Sequence, residues 1–449
     1  MMNGKAWLDK VDAWLKEHRQ EIIDDLIGLV RIPSVSIPDP QVPPYGQACR
    51  DALQYMFDLG RRHGYSSDNY DNYVGAVHFS KGDMSVGLWA HLDVVPVPDP
   101  DDWDYPPFDC TVVEDRYMIG RGVQDNKMAA ISVLHVMNCL RDLGVKLRHG
   151  YSLYMGTAEE TGMEDARYFA SHYPCPDLSI VPDTGFPVCV AQRGSFTLRV
   201  SVPFATPIVL THTNNPSVTP EALTAQLPDG RMLRTQSVTS SVTSAMKYPS
   251  AVLDMVDLLC AEYPEAAHEL QSLRKLCASW DGSALGMAWA DEDSGALAMA
   301  PTGMLWEDGK LSVNLFGILP ITSDVDALAG HAMAAAELCG ASCQLMRARR
   351  PCSFPADHPV VKLLTDVYND VTGYDTKPFV MTGGNYAACL PNAFGFGPGM
   401  PGREFPPHIF RSGHGDFHGC DESEDIEHIL AFMRVYAMGI LALEEYSAE

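Results

Sequence analysis

The chain has 449 residues, with 58 acidic against 32 basic side chains and a formal charge of −26. A surplus of that size argues against nucleic acid or an anionic membrane surface as a partner, and it suits a site that gathers cations. No apolar run reads as membrane-spanning, and the amino-terminal stretch MMNGKAWLDKVDAWLKEHRQ is charged and amphipathic, unlike a secretory signal. The 12 cysteines form no C-x-x-C pair. They point to a reduced, cytoplasmic protein without a cysteine-based zinc site.

Residues 5–31 carry Trp7, Val11, Trp14, Leu15, Ile22, Leu26 and Val30 at helical spacing, and Pro33 ends the run. A second helix is expected over 47–63, closed by Gly64, with strands over 73–79 and 84–90. Met128, Ile131, Leu134, Met137 and Leu140 share one face of a helix over 126–143, and Gly144 is placed to stop it. Apolar strands follow over 151–155 and 178–181. Strands alternating with helices predict an α/β fold with a mixed, largely parallel sheet and helices on both faces.

The composition changes after about residue 188. The next stretch is rich in Ser, Thr, Pro and Ala, with alternating segments such as SFTLRVSVPF and KLSVNLFGIL and a helix over 251–262. It reads as an α+β domain. From about 354 the pattern of the first 188 residues returns, with helices over 359–371 and 426–443 around the glycine-rich MTGGNYAACLPNAFGFGPG. The expected domains are therefore 1–188 with 354–449, interrupted by an insertion at 189–353.

Four short stretches place acids or imidazoles where an element begins or ends. GLWAHLDVVP sets His91 and Asp93 two apart at the end of an apolar strand, so an imidazole and a carboxylate point to the same side. RGVQDNKM puts Asp125 before a helix, MGTAEETG puts Glu159 and Glu160 after a strand, and IVPDTGFP does the same for Asp183. Taken singly, each acid reads as a cap or a solvated turn. Parallel strands, however, would bring all these boundaries to one edge of the sheet. Carboxylates gathered there repel one another without a cation, and mixed oxygen and imidazole donors suit zinc, manganese or a related divalent ion. Two ions need a bridging carboxylate, and adjacent acids can divide metal binding from proton transfer.

The order HLDVVP, WDYPPF, GRGVQDNK, GTAEETG, VPDTGFPV resembles the M20 family of metallopeptidases, and within it the dipeptidase branch that includes PepV and carnosinase-like enzymes. LVRIPSVS, GGNYAACLPN and HGCDE support the resemblance, which covers about 5–190 and 354–445 and is poor between them. It implies a zinc-peptidase-like catalytic domain with an inserted α+β lid. It also implies two divalent ions, zinc foremost, with Mn²⁺ or Co²⁺ as alternatives. His91, Asp125 and Asp183 would hold one ion, and Asp125, Glu160 and His418 the other, with Asp125 bridging. Asp93 would orient His91 through its second ring nitrogen. Glu159 would be the general base for the attacking water. His418 is preferred to His414 because it lies four residues before Glu422, matching the family's H-x-x-[D/N]-E. The implied substrate is a small peptide or an N-acyl amino acid, and the assembly a monomer or homodimer.

Three positions depart from the family. Val242 stands where the lid supplies a histidine to the oxyanion, a loss that could cost about 10²–10³ in rate. Phe316 follows the N-x pair in LSVNLFGIL where relatives carry an arginine, and Ala388 replaces a basic residue in GGNYAACLPN. Arginine is the usual clamp for a carboxylate. Three readings stay open: a peptidase whose substrate lacks the usual free carboxylate or whose lid uses other groups (His212, Arg231 and Arg234 are candidates), a deacylase of N-acyl amino acids, or a metal-binding homologue that no longer catalyses. Retention of Glu159 speaks against the last.

Overall fold

The computed structural model describes residues 4–97, 99–212 and 215–446. These fall into two compact units. One comprises 1–190, 354–379 and 385–449, and the other 191–353 with 380–384. The five residues 380–384 thus pack with the inserted unit, although the sequence pattern groups them with the flanking one.

The first unit is built on a mixed sheet. Its centre is parallel: Gly150–Gly156, Ser85–His91, Leu178–Val181 and Ala393–Phe396 lie side by side. Antiparallel strands flank them, with Val74–His78 and Ser66–Tyr70 on one side and Val188–Gln192 on the other. The two faces are covered unequally. Val86, Leu88 and Ala90 point into a large core with residues from helices Gly4–Val30, Gln47–Arg62, Lys127–Asp142, Pro359–Thr372 and Ile426–Leu443. Trp89, one step out of phase, points to the opposite face and packs with Phe169 of the short helix Glu164–His172 and with Tyr386. Strand alternation therefore sorts one five-residue run into two cores.

The last helix corrects one expectation. Ile426–Leu443 has 18 residues and a mean hydropathy of 1.6, long and apolar enough to cross a membrane by length and composition alone. Its apolarity is spent inside the fold, where Ile429, Phe432, Met433, Val435 and Tyr436 are buried.

The inserted unit is α+β. Its four-stranded antiparallel sheet runs Ala298–Glu307, Lys310–Leu319, Gly194–Pro203, Ser342–Arg349. Phe196, Leu198 and Val200 face a separate core shared with helices Ala251–Glu262, Ala267–Cys277 and Val325–Leu338. The sequence pattern reveals the first of these helices and misses the other two.

Candidate metal centre

Four of the candidate side chains sit at or just beyond the end of a central parallel strand, whereas Asp125 lies before the helix Lys127–Asp142 and His418 in a loop. His91 is the last residue of its strand. Glu159 and Glu160 follow Gly150–Gly156, and Asp183 follows Leu178–Val181. The strand Gly150–Gly156 closes on a residue that must be glycine. A Cβ on Gly156 would fall 1.8 Å from the Tyr386 hydroxyl and 2.3 Å from the Asp165 carboxylate. That carboxylate in turn accepts the N–H groups of Thr157 and Ala158 at 2.6 and 2.8 Å, shaping the turn that presents Glu159.

Asp125 lies between two histidines. One of its oxygens is 3.0 Å from His91 Nε2 and the other 3.1 Å from His418 Nε2. His418 Nε2 is also 3.0 Å from Glu160, and His91 Nε2 is 3.9 Å from Asp183. Donor atoms of His91, Glu159 and Asp183 lie within 4.8 Å of one another, as do those of His91, Asp125 and Glu160. The fold thus collects His91, Asp125, Glu159, Glu160, Asp183 and His418 in one cluster. His414 is not in it, since it bonds Asp421 at 2.6 Å and groups with Asp104. His418 is held with φ at 61°, a left-handed conformation that side chains rarely adopt outside constrained sites.

The electrostatics are those of a cation site. Burial, and then the neighbouring Asp125, push the Asp183 carboxyl up to about 7. Burial and Asp183 likewise raise Glu159 well above the carboxylate range. Burial also works against the charge on Asp125, but hydrogen bonds from His418 and His91 outweigh it and hold that carboxyl below its ordinary value. His418 is drawn up to about 10 because Asp125 and Glu160 outweigh its burial. Four carboxylates thus face only two imidazoles, an excess of negative charge. One oxygen of Glu159 is buried with no hydrogen-bond partner among the described residues. His91 Nδ1 donates to the main-chain carbonyl of Asp93 at 2.9 Å. A carbonyl can only accept, so Nδ1 carries a proton and Nε2 is the nitrogen that faces Asp125 and Asp183: protonated it donates to Asp125, and on losing that proton it offers its lone pair to a metal ion. Oxygen donors with an imidazole so oriented fit a zinc-like divalent ion.

Asp93 meets His91 at Nδ1, its main-chain oxygen at 2.9 Å and its carboxylate at 3.5 Å. The carboxylate also accepts the N–H groups of Glu159 and Glu160, both at 3.1 Å, a second role the sequence does not show.

A model of peptidase family M20/M25/M40 matches residues 87–438, well over half of the chain. The chain belongs to this family. It is a hydrolase of the metallopeptidase class. It is similar to YtjP of Bacillus subtilis (strain 168), a protein with a provisional dipeptidase designation, with 23% identity across 95% of this chain and 97% of that one. It is also similar to the Beta-Ala-Xaa dipeptidase of Lactobacillus delbrueckii subsp. lactis, with 32% identity over 35% of this chain and 33% of that one. Human carnosine dipeptidase 1 has the same fold, with a TM-score of 0.63 at 15% identity over 98% of this chain and 99% of that one.

Sequence reasoning misses several residues around this M20 site. Asn126 stands at the N-cap of Lys127–Asp142 but does not cap it. Its amide donates to Pro182 O at 2.8 Å and to Asp183 Oδ1 at 3.1 Å, fixing that carboxylate. Asn385 donates to Asp183 O at 2.8 Å. Glu422, which in the sequence serves only to single out His418, is buried and pairs with Arg121 at 2.6 Å. It also accepts the N–H groups of Gly122, Gln124 and Asp125 at 3.0–3.1 Å. The polar residues within GRGVQDNK are the available signal.

Val242 and Phe316, expected from the sequence to depart from the family, meet in one apolar cluster with Ala245, Ala300 and Ile318. Ala388 is half-buried in the short helical turn Tyr386–Ala388. Among the candidate substitutes, His212 contacts the backbone of Met304, and Arg231 is engaged by Asp229 and Glu262.

Proposed function

We propose that this chain is a dipeptidase-type hydrolase that cleaves the amide bond of a small peptide at two divalent ions, zinc foremost. His91, Asp125 and Asp183 would hold one ion, and Asp125, Glu160 and His418 the other. The observation that carries this reading is the Asp125 carboxylate, with one oxygen facing each histidine and the other carboxylates around it. Ions bound there supply Lewis acidity and make water more acidic. Glu159 is the general base: its free oxygen accepts the proton of the attacking water and delivers it to the leaving amine. Asp93 and Asn126 position the groups beside it, Asp93 through the Glu159–Glu160 backbone and Asn126 through Asp183. The dipeptidase designations of the relatives support the substrate class. None of the twelve cysteines is in a disulfide, which fits a reducing, cytoplasmic setting.

The test is turnover of a panel of dipeptides and N-acyl amino acids by protein stripped with chelator and reloaded with Zn²⁺, Mn²⁺ or Co²⁺. Cleavage should need the metal and fall about 10²–10⁴-fold in Glu159→Gln, with metal content unchanged. A folded, metal-loaded protein that cleaves nothing in the panel refutes the reading. Cleavage of N-acyl amino acids alone moves it to a deacylase.

A further inference from the structure

A second group of metal-ligating side chains lies in the first unit, among its helices and not at its strand ends. Asp25 belongs to Gly4–Val30, His63 follows Gln47–Arg62 as its C-cap, and His135 belongs to Lys127–Asp142. One donor atom from each lies within 4.8 Å of the other two. The His135 side chain is fully buried, and those of Asp25 and His63 are 7% and 13% exposed. Glu21 stands one turn before Asp25 on the same helix, and its Oε1 is 4.0 Å from His63 Nε2. None of these residues belongs to the cluster around Asp125.

Hydrogen bonding within this group is incomplete. His135 Nε2 meets Asp25 Oδ2 at 3.0 Å, and Arg62 holds the other oxygen of Asp25 at 3.2 Å. His63 Nε2 and His135 Nδ1 are both buried with no hydrogen-bond partner among the described residues. The two rings meet edge to face, with centroids 5.6 Å apart. Burial, and then the neighbouring His135, hold His63 below its ordinary value. A neutral ring keeps a lone pair, and burying that lone pair without a partner costs free energy that a bound cation recovers. The nearby cations are engaged elsewhere: Arg62 with Asp25 and Asp58's neighbour helix turn aside, Arg141 bonds Asp142 and the His63 carbonyl.

We propose that Asp25, His63 and His135, with Glu21 closing the set, bind one zinc-like divalent ion that is separate from the Asp125 cluster and ties three helices together. Two imidazoles and two carboxylates make a complete tetrahedral set, as in a structural site, whereas a catalytic ion keeps an open position. Ligand distances of about 2.0–2.2 Å set neighbouring donors of a tetrahedron about 3.3–3.6 Å apart. The 3.0 Å between Asp25 and His135 and the 4.0 Å between Glu21 and His63 lie on either side of that spacing. His135 ligates through Nε2 in the tautomer protonated at Nδ1, so the ion takes the place of its hydrogen bond to Asp25. The two carboxylates neutralise the charge of the ion.

The experiment strips the full chain with chelator, reloads it with Zn²⁺, returns it to metal-free buffer and counts zinc per chain. It compares wild type, His63→Ala and the double variant His91→Ala/His418→Ala, which removes both imidazoles of the Asp125 cluster. His63→Ala should lose one equivalent, and the double variant should keep that equivalent. In the double variant, Zn²⁺ at a hundred times its Kd should shift the unfolding equilibrium toward the native state about a hundredfold, and adding His63→Ala should abolish the shift. Equal zinc counts in wild type and His63→Ala overturn the proposal, as does a double variant that retains no zinc. Metal lost from the double variant alone reports on the Asp125 cluster, so the two centres are judged separately. Should His63→Ala fail to fold, Glu21→Gln, on the exposed side of the group, decides: zinc affinity lowered at least about tenfold supports the site, and unchanged affinity refutes it.

Discussion

Replacing Glu422 by alanine should unseat Asp125 without touching a proposed ligand. The Glu422 and Arg121 side chains are 1% and 2% exposed and pair at 2.6 Å. Removing one member of a buried pair leaves the other charge unsatisfied, at a cost of about 3–5 kcal/mol. Three backbone N–H groups, those of Gly122, Gln124 and Asp125, lose their acceptor as well. A buried donor left unpaired costs about 1–3 kcal/mol, but these share one loop that can turn toward water, so the losses do not add. The expected destabilisation of the first unit is about 3–5 kcal/mol, with Glu422→Gln near the lower end because its amide oxygen still accepts. Arg121 also donates to His418 O at 3.3 Å, so the disturbance reaches both sides of the cluster. The assay is hydrogen exchange read by mass spectrometry over 118–128, beside urea unfolding and metal content. Exchange at the three amides should rise at least a hundredfold, and bound metal should fall. Adding Arg121→Ala should recover part of the stability, because the unpaired cation is gone. A Glu422→Ala protein within about 1 kcal/mol of wild type, with protection of those amides intact, refutes the reasoning.

Two further outcomes follow from buried carboxylates. Asp93→Asn keeps one acceptor oxygen where the carboxylate used two, so the Glu159 or the Glu160 N–H loses its bond. Stability should drop about 1–3 kcal/mol and kcat at least about tenfold, with faster exchange at those amides; unchanged kcat and exchange refute the positioning role. Burial, and then Asp93, raise the Asp165 carboxyl to about 6. A folded-state value above the unfolded one means the folded protein holds the proton more tightly. The stabilisation is therefore complete below about pH 4 and is lost as pH rises to about 6, about 3 kcal/mol in all. The difference in unfolding free energy between wild type and Asp165→Asn should slope across that window, and parallel profiles contradict it.

Much of the site is legible in the sequence because its signals are local. Apolar runs fix where strands end, and His91, Glu159, Glu160 and Asp183 each sit at or just beyond such an end. The spacing of His418 before Glu422 distinguishes it from His414, and the cluster contains His418. The bonds of the Asp93 carboxylate to the Glu159 and Glu160 N–H groups are not legible, because they join loops 66 and 67 residues apart in the chain.

The sequence by itself determined the alternation of strands and helices in the flanking segments and the acidic and imidazole residues at strand ends. Tertiary structure alone decided that Asp125 stands between His91 and His418, that Glu422 holds the Asp125 loop, and that 380–384 packs with the inserted unit. It alone brought donor atoms of Asp25, His63 and His135 within 4.8 Å of one another, from helices distant in the chain. Periodicity and capping act over a few residues and can be read along the chain. Strand pairing, buried charge pairs and the meeting of loops are set by packing between segments, and no local pattern encodes them.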